Sequence, residues 1–389
     1  MNFDKLILTG IFITLMGFFS TSNADTKIVP DSQVPLTIEE TINETNILTY
    51  EQALELAERE SLNLKNNLLS AESTEVVIGD NKDEIGYSMY NPAILASLKL
   101  DKNDKLNSEK TERMDEYIKE GLAFTVKSIF YNIDTISNDI GLQEEKILNQ
   151  QQKKQIVELK LKYGMESQTN LTLKQLEIDQ LIKDKETMAK DLQDQYFALN
   201  KLLGFDQFKV YHIEALPINY EPLKDTAKDV ELKTSRTISK DITIWGKEQQ
   251  LDIQRIGVDF YALNFISGFP SDQQANPTPL EAQKLDVRVA ANEIEQAKKD
   301  AADAVATKYN NIKKLEATKE SAEVRLMELL ERKRTLEAAL NAGTVIEQDY
   351  RDLLLGIKEI RTGIEKIESQ HVLLKEMYNN PLLAAGNVN

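Results

Sequence analysis

From about Asn107 to Tyr163 the sequence places an apolar residue at every third or fourth position: Ile118, Leu122, Val126, Ile129, Ile133, Ile136 and Ile140. These steps of three and four are the a/d seam of a left-handed coiled coil. A helix over this span is roughly 85 Å long at ~1.5 Å per residue, more than a compact domain accommodates. The chain must therefore build a rod, a tube or an extended arm.

Gly164 breaks the long helix, and the turn Tyr163-Gly164-Met165-Glu166-Ser167-Gln168-Thr169 leads into a further helix that ends near Leu203 and Gly204. Glycine suits the left-handed residue that closes a helix, and Thr169 suits the cap that opens the next. Upstream, Thr49 with Gln52 three residues later forms a capping box for a helix reaching about Ile78. Gly79, Gly86, Asn91 and Pro92 then mark an insert over residues 79–104. A connector over 205–222 holds a strand-like stretch from Phe208 to Ile213, followed by Pro217 and Pro222.

After the connector the plan repeats. A helix from about Leu223 to Ile256 precedes a break over 257–279 rich in Gly, Pro and Asn. A second long helix spans about Leu280 to Asn341, with Ile312, Leu315, Ala322, Leu326, Leu329, Leu336 and Leu340 on its stripe. The turn Ala342 to Gln348 opens a last helix to about Tyr378, striped by Ile357, Ile360, Ile364, Ile367 and Leu374, and 380–389 form a tail. Ala53 matches Ala227, Tyr131-Asn132 match Tyr309-Asn310, and Gly164 matches Gly343, at offsets of 174, 178 and 179. The expected fold is mainly α: two tandem repeats, 49–204 and 223–379, of long antiparallel coiled-coil helices with little β. In each, two shorter helices stack end to end along a long one.

The first 24 residues read as a signal peptide. Lys5 precedes an apolar run from Leu6 to Phe19, and Ser22-Asn23-Ala24 offers small residues for cleavage. That run, about 14 residues, is short of the ~20 that span a bilayer. A polar lead-in follows over 25–48. An exported chain with no cysteine has neither disulfides nor thiolate chemistry, so helix packing must stabilise it. A net charge of −17 argues against nucleic acid and anionic lipid as partners.

The stretches LTYEQALELAERESLNLK, KYGMESQTNLTLKQLEIDQ, ALNKLLG and NAGTVIEQDYRDLLL, standing in this order on a duplicated plan, resemble the TolC family of outer membrane efflux proteins over roughly residues 48–378. The resemblance implies a homotrimeric tube in the cell envelope, a duct that passes substrates from a cytoplasmic-membrane pump, of ABC type among others, through an adaptor (membrane fusion) protein. It implies that the turns at Gly164 and Gly343 touch the adaptor. It also places Asp349 and Asp352, with Thr169 and Asn170 in the first half, at a constriction where three-fold symmetry gathers like charges on one axis. Asp349 and Asp352 also have a plainer reading, as acids favoured near the positive end of a helix.

Where the family carries strands that cross the outer membrane, this chain departs. Each such strand needs ~9–11 residues. Residues 85–100 do not alternate cleanly and contain Pro92, and Phe260 to Ile266 is apolar on both faces. Short capping loops are expected there, which makes the chain a relative without a barrel. A non-conducting coiled-coil protein of the envelope is the alternative.

No nucleophile elbow, phosphate loop or HExxH motif occurs, so no enzyme, cofactor or metal site is expected. His212 and His371 are the only histidines, and His371 lies on the apolar stripe of the last helix, as a packed residue would. Trp245, Tyr131 and Tyr309 are expected to pack as well.

Overall fold

The computed structural model describes residues 47–84, 91–266 and 280–384. Its elements run β1 (Ile47–Leu48), α1 (Tyr50–Glu60), α2 (Leu62–Glu84), α3 (Asn91–Lys162), α4 (Gln168–Leu203), β2 (His212–Ile213), α5 (Ala227–Lys240), α6 (Ile242–Ile266), α7 (Leu280–Asn341), α8 (Glu347–Asn379) and α9 (Pro381–Ala384). The expected signal peptide, most of the lead-in, residues 85–90 and 267–279 of the two expected inserts and the last five residues of the tail lie outside the described residues.

The mainly α class and the repeated plan are both present. Each half has a helix broken in two, one long helix, a glycine turn and a returning helix. The break was not foreseen and recurs in both halves. Ser61 ends α1 at φ −61° and ψ 110°, and Asp241 ends α5 at φ −64° and ψ 117°. Each of these residues also opens the next helix. Ser61 Oγ accepts from the Leu64 amide, and Asp241 Oδ1 accepts from the amides of Thr243 and Ile244. A side chain that caps backward-facing N–H groups holds its own backbone extended, so the helix kinks there.

Three sequence readings are corrected. Helices fill most of the expected insert at 79–104: α2 passes Gly79 to reach Glu84, and α3 starts at Asn91. Glycine inside a helix costs only about 1 kcal/mol, and proline in a first turn loses no hydrogen bond, so neither stops a helix there. For the same reason α6 passes Gly257 to Ile266. The strand at 208–213 shrinks to His212–Ile213, paired in parallel with Ile47–Leu48. The helix expected from Leu223 begins only at Ala227, where Thr226 and Asp229 form a capping box like that of Thr49 and Gln52.

Within each half the helices pack as hairpins, with α2 and α4 both against α3, and α6 and α8 both against α7. The halves meet where α3 touches α6 and α8. The layer therefore reads α4, α3, α8, α7 near the turns and α2, α3, α6, α7 toward the opposite pole. One main core lies under the β1–β2 ladder, where Leu48, Leu56, Val126, Phe130, Ile133, Leu199, Leu203 and Tyr211 are buried together. The second half has a smaller one around Leu223, Val305, Ile312 and Tyr378, with Ala384 of α9 completing it. Tyr131 and Trp245 are buried and Tyr309 packs against this second core, as expected.

Candidate functional site at the glycine turns

The two turns have the same backbone. Gly164 and Gly343 each have φ +69°, the left-handed region where a side chain is disfavoured. In the first, the Met165 amide donates to Lys160 C=O (2.9 Å) and the Gly164 amide to Leu161 C=O (3.0 Å). In the second, Thr344 donates to Ala339 (3.0 Å) and Gly343 to Leu340 (2.9 Å). This pair of bonds is the Schellman motif, which satisfies the last carbonyls of a helix. No heavy atom lies within 4 Å of a Cβ built on either glycine, so conformation alone requires glycine there. Tyr163 and Met165 at the first tip are 78% and 68% exposed, and Ile346 at the second 63%.

The cap of α4 is Ser167, not Thr169. Ser167 has extended backbone (φ −100°, ψ 149°), and its hydroxyl accepts from the Asn170 amide at 3.2 Å. Thr169 is already helical, so it lacks the extended backbone a cap needs, and its side chain is exposed. Asn170 also bonds Glu166. That bond and the Ser167 amide hold the Glu166 carboxyl below its ordinary value.

Asp349 lies in the first turn of α8 with an exposed side chain, where it complements the helix dipole. Asp352 lies one turn further in and is drawn onto the first half. Its Oδ1 accepts from Asn149 Nδ2 (2.6 Å), Lys153 Nζ (2.8 Å) and Gln348 Nε2 (3.2 Å). Partial burial pushes the Asp352 carboxyl up, but those three donors together more than reverse this, and it titrates below its ordinary value. The four expected constriction residues are thus unlike. Asp352 is tied across the halves, whereas Thr169, Asn170 and Asp349 stay within their own turns.

The residues that hold the halves together here were not anticipated. Asp139 pairs with Lys366 (3.0 Å), Lys146 with Glu359, and Lys153 with Asp352. On each helix these partners recur every seventh residue, so they form a polar stripe beside the apolar seam. Between them Gln152 accepts from Arg351 (2.5 Å) and Glu145 pairs with Lys358 (2.5 Å). The signal was in the sequence as oppositely charged heptads on α3 and α8, but only the antiparallel register tells which charges meet. Apolar packing therefore holds each hairpin, while a polar ladder joins one hairpin to the other.

Exposed apolar residues line both edges of the layer. On α7, Leu285, Val289, Val324 and Met327 fall on one heptad stripe; on α2, Leu62, Leu69 and Val76 are seven apart; on α4 lie Leu173, Leu176, Ile182 and Phe197. Contacts across the layer fix their heights. Lys319 meets Glu368 (3.3 Å), Lys366 meets Asp139, and Gln143 donates to Leu181 C=O (3.1 Å), so Val324 on one edge stands level with Ile182 on the other, and Met327 lies about a turn from Leu176. At the opposite pole Lys247 meets Glu293 (3.8 Å), Arg113 covers Trp245 (4.6 Å) and Asn67 donates to Thr111 C=O (2.9 Å). These put Leu285 and Val289 level with α2.

No helix among the described residues is long and apolar enough to cross a membrane. No group of metal-ligating side chains occurs among them either. The sequence matches no family model and no curated protein. Solved structures do match. The outer-membrane channel OprN has a TM-score of 0.62 at 11% identity, over 93% of this chain and 100% of that one. The CmeC outer membrane channel of Campylobacter jejuni gives 0.61 at 10%, over 95% and 94%. The open MtrE outer membrane channel of Neisseria gonorrhoeae gives 0.59 at 10%, over 87% and 89%. Likeness at such identity is one of fold, and it bears out the TolC-like helical protomer expected from the sequence.

Proposed function

We propose that this chain is a divergent TolC-family duct component. Several copies, three by the family resemblance, close side by side into a helical tunnel that passes substrates across the cell envelope. One observation carries the reading: both open edges of the layer bear exposed apolar residues, Leu285, Val289, Val324 and Met327 on α7 and, at overlapping heights on the other edge, those of α2 and α4. An edge of this kind is satisfied by another copy, α7 of one against α2 and α4 of the next. Because these residues overlap in height, rotation with little shift along the axis brings them together, and head-to-tail contacts without such a shift close into a ring when the rotation closes. Burying apolar surface at about 25 cal/mol per Å2 supplies the driving force.

In such a ring the glycine turns gather at one end. Asp349, with Thr169 and Asn170, then lines the constriction, and Asp352 sits behind it, braced by Lys153. The exposed tips around Gly164 and Gly343 suit an adaptor fed by a cytoplasmic-membrane pump. The opposite pole is helical as far as it is described, which supports a relative without membrane strands. The chain's place is then the exported side of the envelope, and its role is conduction, not catalysis.

The test is the mass of the purified chain in solution together with Val324→Asp/Met327→Asp, both at exposed positions that leave the protomer intact. A ring in the wild type and a folded monomer in the double variant are expected. A wild-type monomer at every concentration overturns the duct and leaves the non-conducting envelope protein. In a reconstituted pore, Asp349→Ala with unchanged cation preference ends the constriction assignment.

A further inference from the structure

The segment from the end of β2 to the cap of α5, residues 214–226, is strapped down by five hydrogen bonds. Tyr131 Oη donates to Pro217 C=O (3.1 Å), Lys375 Nζ to Glu221 C=O (2.9 Å), and Tyr378 Oη to Asp225 Oδ2 (2.9 Å). At the middle, the Leu223 amide donates to Glu316 Oε1 (2.5 Å), and Lys313 Nζ donates to Leu223 C=O. Glu316 Oε1 is also the partner of His371 Nε2, at 3.2 Å.

His371 has no exposed surface, and the Tyr220 ring of the strap covers it with centroids 4.6 Å apart. Glu316, accepting from a backbone amide and a lysine, is an ionised acceptor, so Nε2 carries the ring proton and Nδ1 is a bare lone pair. That Nδ1 is buried and has no hydrogen-bond partner. A bare lone pair is tolerable in an apolar site, but an N–H there without an acceptor costs its full desolvation.

We propose that His371 is an acid-sensitive clasp: a proton taken up at Nδ1 from solvent expels the ring, withdraws Glu316 from the Leu223 amide and releases the strap that joins the two halves. The charged and titratable groups around the ring agree with this. From α7 come Glu316 and Lys313, with Lys319 stacked beyond on Tyr220; from α8, Lys375; from the strap, Tyr220 and Glu221. Only Glu316 favours an imidazolium, whereas burial above all, with Lys375 and Lys313, disfavours it and holds His371 below its ordinary range. A groove of about 460 Å3 beside Tyr220, Pro222 and Glu316 gives the displaced groups access to water. Since the folded ring binds its proton less readily than the unfolded one, the clasp is fully effective above about pH 6.5 and weakens as pH falls through the lowered value. This inference is independent of the duct reading.

Hydrogen exchange of the Leu223 amide, corrected for intrinsic rates, is measured between about pH 7.5 and pH 4.5. The wild type is expected to lose about ten-fold or more of its protection, with a midpoint below the ordinary imidazole value of about 6.5. His371→Phe, which fills the site but takes no proton, is expected to stay protected throughout. Imidazole 15N shifts of the His371 ring in the wild type give a second reading. The His371 ring must titrate below the ordinary imidazole value of about 6.5 and together with the loss of protection. Wild-type protection that persists to pH 4.5, or a His371 ring that titrates at or above about pH 6.5, overturns the clasp whether or not the variant folds.

Discussion

The Lys153 ammonium lies 2.8 Å from an Asp352 carboxylate oxygen, and the two residues belong to different halves of the chain. This rung sits nearest the turns in a ladder that Lys146–Glu359 and Asp139–Lys366 continue. The groups are part-exposed, so each rung stabilises by about 0.2–1 kcal/mol. A double-mutant cycle on Lys153→Met and Asp352→Asn is expected to give a coupling near 0.5 kcal/mol in dilute buffer. At 1 M salt, where screening acts over about 3 Å, most of it disappears. The measurement is denaturant unfolding, and a coupling unmoved by salt contradicts the ladder.

Asp352 also gives a pH dependence. Its folded carboxyl titrates below the unfolded one, so its contribution is complete above the ordinary Asp value of 3.8 and is lost as pH falls through the lowered one. Wild type should lose stability below pH 3.8 more steeply than Asp352→Asn, which has no proton to take up. Parallel pH–stability curves refute this.

Among the described residues three glycines lie in the left-handed region, Gly164, Gly343 and Gly204 (φ +70°), and they separate two costs. Ala at Gly164 or Gly343 meets no neighbour, so each substitution costs the conformational ~1–2 kcal/mol alone. At Gly204 the added Cβ comes within 2.8 Å of Glu60 Cγ. Gly204→Ala therefore adds an overpacking penalty of about 1–3 kcal/mol. Thermal unfolding should rank Gly204→Ala below the other two, and equal losses at all three contradict the contact.

How legible these features were depended on whether their cause is local. The seam from Ile118 to Ile140 and the turns at Gly164 and Gly343 were legible, because heptad spacing and a positive φ write themselves into residue choice. The kinks at Ser61 and Asp241 were not, since a serine or aspartate inside a helical pattern has many uses and only its backbone shows which. Thr169 reads as the cap of α4 for the same reason: serine and threonine both cap well, and that Ser167 is the one whose hydroxyl reaches the amide three residues on is fixed by where the Schellman turn ends. Gly79 and Pro92 read as breakers, but a glycine costs a helix only about 1 kcal/mol and a proline in a first turn loses no hydrogen bond, so the helices run through both. The Lys153–Asp352 rung required the register between halves, which no single stretch encodes.

Trp245, the sole tryptophan, reports on the α3–α6 contact. It is buried, with Arg113 Cζ 4.6 Å from its ring centroid. Arg113→Ala removes a cover worth about 0.5–1 kcal/mol at a partly exposed site. The emission maximum is expected to move to longer wavelength as water reaches the indole, while far-ultraviolet circular dichroism stays as in the wild type. Unchanged emission means that Arg113 does not shield the ring.

The main core predicts its own weakest polar point. Tyr211 Oη donates to Asn200 Oδ1 at 2.8 Å, and Asn200 Nδ2 donates onward to the carbonyls of Gln207 (3.2 Å) and Lys209 (3.1 Å). Tyr211 and Asn200 are both almost fully buried, and burial pushes the phenol far above its ordinary range, so it donates at any working pH. Tyr211→Phe keeps the ring and its edge-on contacts with Tyr196 and Phe205. It leaves Asn200 Oδ1 buried without a donor, a penalty of about 1–3 kcal/mol. Asn200→Leu with Tyr211→Phe removes both polar ends of that bond but strands the two carbonyls, so it should recover none of the loss. Denaturant unfolding decides it: a double variant more stable than Tyr211→Phe shows that Asn200 does not hold the segment after α4 through those carbonyls.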